Sequence, residues 1–207
     1  MQDEVSARFP GLCMRALRFT TRVREEGYPF GQQLEEARRR LSLTPSSLKD
    51  HPIIRAYRDF YWRLGIDPTK QRPSSEGLAR RLLAQGRLPR INSVVDAGNI
   101  ASAETLIAIG LYDLDEVRGV PLLRWARRGE QFEDITGKRF SLGENNIVLA
   151  DELGIIHVFP YRDSFRSRIK GSTQRVLAVA CGVPGIGEEH LERALARVVE
   201  LVRLFGS

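Results

Sequence analysis

The chain is poor in the residues that metal and thiol chemistry depend on. Among 207 residues only two are cysteine, Cys13 and Cys181, and only three are histidine, His51, His157 and His190. The cysteines lie far apart without metal-ligand spacing, so they read as reduced thiols in or near the core, and no zinc or other metal site is expected. No apolar run approaches the roughly 18 residues of a membrane span, and the segment MQDEVSARFPGL has no apolar signal core, so no membrane association and a cytoplasmic location are expected. A GxSxG elbow is absent, which weakens a serine-esterase reading. Gly182-Val-Pro-Gly185-Ile-Gly187 resembles a phosphate loop only superficially: no GK[ST] follows, and Pro184 suits a strand-to-helix turn. The sequence offers no ready-made nucleophile and calls for no cofactor. Lysine is scarce too. Of 32 basic residues, Lys49, Lys70, Lys138 and Lys170 are the lysines, leaving 28 arginines. Arginine suits phosphate through its bidentate fork, although genome composition produces the same bias. The net charge of +6 is compatible with a polyanionic partner without requiring one.

What is present suits one soluble domain. Hydrophobic content of 42% and charged content of 28% are ordinary, and 207 residues bury a core without staples. No internal repeat or low-complexity tract occurs. Leu12 to Val23 hints at a strand, and Tyr28-Pro29-Phe30-Gly31 marks a loop. Gln32 to Leu41 reads as a polar helix, and the helix dipole suffices to explain its closing run Arg38-Arg39-Arg40. From His51 to Leu64 the apolar positions recur at steps of three and four, which predicts an amphipathic helix capped by Asp50 and stopped by Gly65. A second helix, Ser75 to Gln85, is expected behind an N-cap at Ser74, with Gly86 at its end; it carries Glu76, Arg80 and Arg81.

Strands follow the central stretch: Val120 to Arg127, Phe140 to Leu142, a hairpin of Ile147 to Ala150 with Ile155 to Phe159, and a buried strand from Thr173 to Ala180. A helix from about Glu188 to Phe205 closes the chain. Helices first, strands later and one terminal helix predict an α+β fold in a single domain over 1–207. His157, isolated among apolar residues of the hairpin, reads as structural. If the loop after Ser164 is extended, Arg166, Arg168 and Lys170 point the same way.

The central stretch is Leu88 to Asp115, LPRINSVVDAGNIASAETLIAIGLYDLD, which places polar groups inside an apolar run. Asn92, Asp96 and Asn99, spaced by four and three, share one helix face. Buried without partners each would cost about 1 to 3 kcal/mol. Two readings are open: these side chains cap a helix and tie down loops, or they line a site for a small polar ligand.

The string LPRINSVVDAGNIAS resembles the LxPINxVVDxxNxV pattern in the editing domain of the phenylalanyl-tRNA synthetase β subunit. Tyr112 to Asp115 resembles the segment HAFDxDK of the same family. The Arg124, Ala126, Gly129-Glu130 spacing, the Ile147 to Asp151 strand and TQRVL from Thr173 follow in the family's order. The resemblance covers 73–181, between an N-terminal part, 1–72, and a C-terminal helix, 182–207. Aminoacylation motifs are absent, so the expectation is a free-standing relative of the editing module, similar also in its RPSSEGL segment, which makes Glu76 a site candidate.

The resemblance implies hydrolysis of the ester that joins a wrong amino acid to tRNA, with the acceptor end of the charged tRNA as partner. The family's HAFD histidine falls on Gly110 and its pocket glutamate on Val179, so tyrosine selectivity is not expected to persist. Asn99, Asp96, Asp113 and Thr173 are retained. Tyr161 and Arg162 stand where the synthetase has paired glycines, with Asp163 adjacent. The expected catalytic set is Asn99 and Asp96, organising the pocket and a water, with Asp163 or Glu144 as general base. Asn92, Glu76, Gly110, Asp113, Tyr161, Arg162 and Thr173 are the expected substrate contacts. Arg80, Arg81, Arg166, Arg168 and Lys170 are the expected RNA contacts. A non-catalytic module that binds tRNA or an amino acid on the same fold is the competing reading, and a small-molecule hydrolase unrelated to RNA is the third.

Overall fold

The computed structural model describes residues 3–206; Met1, Gln2 and Ser207, which the single expected domain includes, lie outside them. A short helix α1 (Asp3–Arg8) leads into strand β1 (Cys13–Thr20), followed by α2 (Phe30–Leu41), α3 (Pro52–Arg63), α4 (Ser74–Gln85) and α5 (Ser93–Thr105). Strand β2 (Ala108–Asp113) comes next, then β3 (Leu122–Trp125), β4 (Glu130–Glu133), β5 (Arg139–Leu142), β6 (Ile147–Asp151), β7 (Gly154–Val158), β8 (Arg162–Asp163) and β9 (Arg175–Gly182). Helix α6 (Glu188–Gly206) is last. The fold is α+β, as expected.

Three antiparallel sheets result, ordered β1-β9-β2, β3-β6-β7-β8 and β4-β5. The first is assembled from strands remote in sequence, with β9 between the other two. Alternation along β2 sends Gly110 and Tyr112 to one face and Leu111 to the other. On the Leu111 face α5 packs so closely that a Cβ on Gly98 would lie 2.5 Å from Leu111 Cδ1. The Tyr112 face meets α3 and the four-stranded sheet in the main core, where Tyr57, Phe60, Tyr112, Phe159 and Val179 are buried together. Leu191 and Ala194 of α6 belong to the same cluster as Tyr57 of the N-terminal part, so the three segments share one core.

Several local expectations need correction. Helix α2 begins at Phe30, so Phe30 and Gly31 form its first turn rather than a loop. The cap of α3 is His51, not Asp50: its imidazole accepts from the Ile53 N–H at 3.3 Å, and Pro52 at the first helical position needs no partner for a donor it lacks. Ser74 lies inside α4, whose N-cap position holds Pro73 without a side-chain bond. The strand expected over Val120 to Arg127 is confined to β3, and Val120 is 73% exposed. Strands β2, β4 and β8 and helix α1 lie outside the expected elements.

Candidate active site

Helix α5 resolves the two readings of its polar stripe for two of the three residues. Asn92 is its N-cap, the side-chain Oδ1 accepting from the N–H groups of Val94 at 3.2 Å and Val95 at 3.0 Å. Asp96 is fully buried, and its carboxylate accepts from the Tyr28 hydroxyl at 2.8 Å and the Ile91 N–H at 2.9 Å. Burial raises the Asp96 carboxyl above its ordinary range, and these two hydrogen bonds oppose that shift. Both side chains are therefore committed to holding the loop before α5. Asn99 differs: it is half-buried, and its amide forms no hydrogen bond to a described residue.

A second polar group forms on the other face of the three-stranded sheet. Gly110 and Val179 are register partners across β2 and β9, with Ala16 of β1 opposite Val179 on the far side. The Tyr112 hydroxyl fills the space above Gly110, where a Cβ would overlap it. It donates to Asp163 Oδ1 at 2.8 Å, and His157 Nδ1 meets the same oxygen at 2.9 Å. A carboxylate only accepts, which assigns the proton of this bond to Nδ1 and leaves His157 Nε2 facing Cys181 Sγ at 3.9 Å. The Tyr57 hydroxyl donates to the Cys181 carbonyl and accepts from the Ala108 N–H at 3.0 Å, tying α3 to both strands.

Access differs sharply within this group. Tyr112, His157 and Cys181 are buried, whereas the Asp163 side chain is 33% exposed. Asp163 Oδ1 carries both hydrogen bonds, and Oδ2 carries none to a described residue. The carboxylate is thus fixed on one oxygen and open on the other. Although cysteine, histidine and aspartate stand in a row, burial raises the Cys181 thiol far above its ordinary range, with the Asp163 charge adding to it. Such a buried thiol is not a nucleophile. The Tyr61 hydroxyl is also fully buried and has no hydrogen-bond partner among the described residues; its ring lies 6.1 Å from that of Tyr161.

The remaining sequence candidates fall into separate local contacts. Thr173 donates to Asp113 Oδ2 at 2.7 Å, closing the β2–β9 end. Arg162 pairs with Asp134 at 2.6 Å and lies over the Phe140 ring. Glu76, with no exposed side-chain surface, accepts two bonds of 2.8 Å from Arg58, while Arg80 stands 3.8 Å away and Arg81 is exposed. The expected row of three free cations is not formed. Arg166 pairs with Asp151, Lys170 pairs with Glu116, and Arg168 stacks on Phe165, because the segment turns instead of running extended. Glu144 is exposed in the β5–β6 turn beside Arg124 and Trp125, and no hydrogen bond joins it or Asn99 to Asp163. Among the described residues no group of three histidine, cysteine, aspartate or glutamate side chains could hold a metal ion, and no helix is long and apolar enough to cross a membrane.

Residues 56–206 match the B3/4 domain family. The chain belongs to that family. Among its relatives is the phenylalanine–tRNA ligase beta subunit of Bartonella henselae, 32% identical over 104 residues, which are 50% of this chain and 13% of that one. The same subunit of Bradyrhizobium diazoefficiens is 35% identical over 86 residues, 42% of this chain and 11% of the relative. The chain therefore spans only a small part of the relatives it matches. An N-terminal fragment of the phenylalanyl-tRNA synthetase beta subunit from Pyrococcus horikoshii aligns over 58% of this chain and 42% of the fragment, at 18% identity and a TM-score of 0.47.

This B3/4 domain is thus a relative of the synthetase β-subunit domain, and its match contains α5, β2 and β9 as well as Asp163. Sequence reasoning missed Tyr112 and His157 as partners of Asp163, and Arg58 as the partner of Glu76. Alternation along β2 puts Tyr112 on the same face as Gly110, a usable signal. The contact of His157 with Asp163 depends on the two-residue strand β8, which no local pattern announces.

Proposed function

We propose that this B3/4 domain hydrolyses the ester that links a wrong amino acid to the acceptor end of a tRNA. The observation that carries the reading is Asp163, a partly exposed carboxylate held on one oxygen by Tyr112 and His157, beside the sheet face bearing positions 110 and 179. An aminoacyl ester is already activated, so a positioned base and water suffice without a protein nucleophile. Asp163 Oδ2 takes a proton from water as its oxygen attacks the ester carbonyl. The carbonyl–ribose bond then breaks, and the proton passes to the departing ribose oxygen. Tyr112 and His157 are positioning residues that keep Asp163 Oδ1 engaged. Asn99 lies on α5, across the sheet from Asp163, and takes no part in this step, whereas Asp96 and Asn92 act through the fold. Gly110 and Val179 leave the family's two polar positions without polar side chains, which fits an amino acid other than tyrosine.

The test is release of amino acid from a panel of correctly and wrongly charged tRNAs, including tyrosine on the phenylalanine tRNA. Accelerated release of one wrong amino acid, with correctly charged tRNA spared, is expected. No acceleration anywhere in the panel by folded protein contradicts the reading.

One observation favours a second reading, a binding module without catalysis: the Tyr112 hydroxyl occupies the space over Gly110, and Val179 is packed into the core. That module would bind tRNA with a steep salt dependence and no rate enhancement.

A further inference from the structure

A cleft of about 610 Å³ opens between the C-terminal turn of α2, the start of α3, the end of α5 and one face of α6. It shares no residue with the Asp163 group. Its floor is apolar, formed by Leu41, Ile53 and Leu106, with Leu41 and Leu106 buried. Its walls carry both signs of charge. Arg197, only 6% exposed, donates from Nε to Glu104 at 3.0 Å and from Nη2 to Gln33 at 3.4 Å, and its Nη1 lies 2.9 Å from Glu200 in an ion pair. Arg40 reaches Glu104 from the other side at 3.1 Å. Arg197 Nε and Nη2 are thus engaged, while its buried Nη1 has the Glu200 ion pair but no hydrogen bond among the described residues, and the exposed groups left for a ligand stand on the rim.

Arg193 is exposed and donates to His190 Nδ1 at 2.6 Å, which leaves the remaining Arg193 donors outward. His190 Nε2 lies 3.6 Å from Glu189. His51 uses Nδ1 to cap α3, leaving its Nε2 as the free ring nitrogen. Glu200, 56% exposed in its side chain, pairs with Arg197 through Oε1 and has no partner for Oε2 among the described residues, which makes Oε2 the oxygen open to a ligand. A rim with a guanidinium and two imidazoles on one side and a carboxylate on another, over an apolar floor, is complementary to a zwitterion with an apolar body. A phosphate dianion fits less well, because Glu104 and Glu200 repel it. Burial, then the nearby charge of His190, lowers the His51 pKa, and the charge of a bound anion would oppose that shift.

We propose that this cleft binds a free α-amino acid with an apolar side chain, its carboxylate on Arg193 and the imidazoles, its ammonium on Glu200, and its side chain over Leu41, Ile53 and Leu106. The site is separate from the hydrolytic one and stands whether or not that reading holds. The test is titration of the whole chain with L-leucine and L-phenylalanine, following the imidazole ring protons of His51 and His190 by NMR. Saturable shifts of both rings at about 1 mM or below are expected. Arg193→Ala and Glu200→Gln, both at exposed positions, should each weaken the binding about tenfold, and N-acetyl-L-leucine, which lacks the ammonium, should bind correspondingly worse. No saturation up to about 10 mM, equal binding of inorganic phosphate, or indifference to Arg193→Ala would overturn the proposal.

Discussion

Gly110 and Val179 stand opposite each other on adjacent antiparallel strands. They are the two positions at which the family resemblance places a histidine and a glutamate. The register puts them about 5 Å apart between Cα atoms, so two motifs distant in sequence mark one spot on the sheet. In this chain the spot is filled from Tyr112, and the polar chemistry has its partners in Asp163 and His157.

That substitution of one group for another can be tested by crowding it. Gly110→Ala must displace the Tyr112 hydroxyl and break its bond to Asp163, so stability to urea should fall by about 1 to 3 kcal/mol. Tyr112→Phe should cost about 1 kcal/mol. Because both act on one contact, the double variant should lose less than the sum of the two; strict additivity would show that Tyr112 does not occupy that space.

On α5 two asparagines should behave differently. Asn92→Ala removes a cap bonded to two N–H groups and should destabilise the protein by about 1 kcal/mol. Asn99→Ala removes no hydrogen bond and should change stability by less than about 0.5 kcal/mol. Equal losses in chemical denaturation would contradict the division between a capping and an unengaged amide.

Glu76 has no exposed surface, and its carboxylate is matched to the Arg58 fork. Glu76→Gln leaves that guanidinium without its counter-charge in a mostly buried place and should cost about 3 kcal/mol. A loss below about 0.5 kcal/mol by thermal unfolding would show that the pair is not a structural tie.

Acid stability should depend on Glu130. Two bonds from Arg124 hold its carboxyl below the ordinary glutamate range. A lowered folded-state pKa adds stability that is complete above the unfolded value and is lost as pH falls through the folded one. Glu130→Gln should therefore be less stable than the parent at neutral pH, and the difference should shrink as pH drops below about 4. A difference independent of pH would assign the effect to packing.

Much of the fold was legible because it is locally periodic. Helices α3 and α6 bury one face at steps of three and four, and the β6–β7 hairpin brackets Glu152-Leu153-Gly154, so neighbouring residues carry the signal. Strand β4, Glu130–Glu133, buries only Phe132 fully, which leaves too little pattern to read. The β1-β9-β2 sheet depends on pairings between distant segments, and no local pattern specifies their register. The site divides the same way. Asn92 and Asp96 were visible as polar residues on an apolar helix, with their capping role one of the two readings. His157 looked structural in isolation because its partner Asp163 arrives through β8, and the Arg166, Arg168 and Lys170 alternation ended in separate ion pairs and a ring contact because a turn interrupts it.

The central claim is that Asp163 is the base of a hydrolytic site, and single-turnover deacylation by Asp163→Asn tests it most directly. On the tRNA that the parent protein deacylates, Asp163→Asn should be slower by about 10² or more, with binding little changed and the fold intact by circular dichroism. Deacylation at the parent rate by the folded variant would contradict the account.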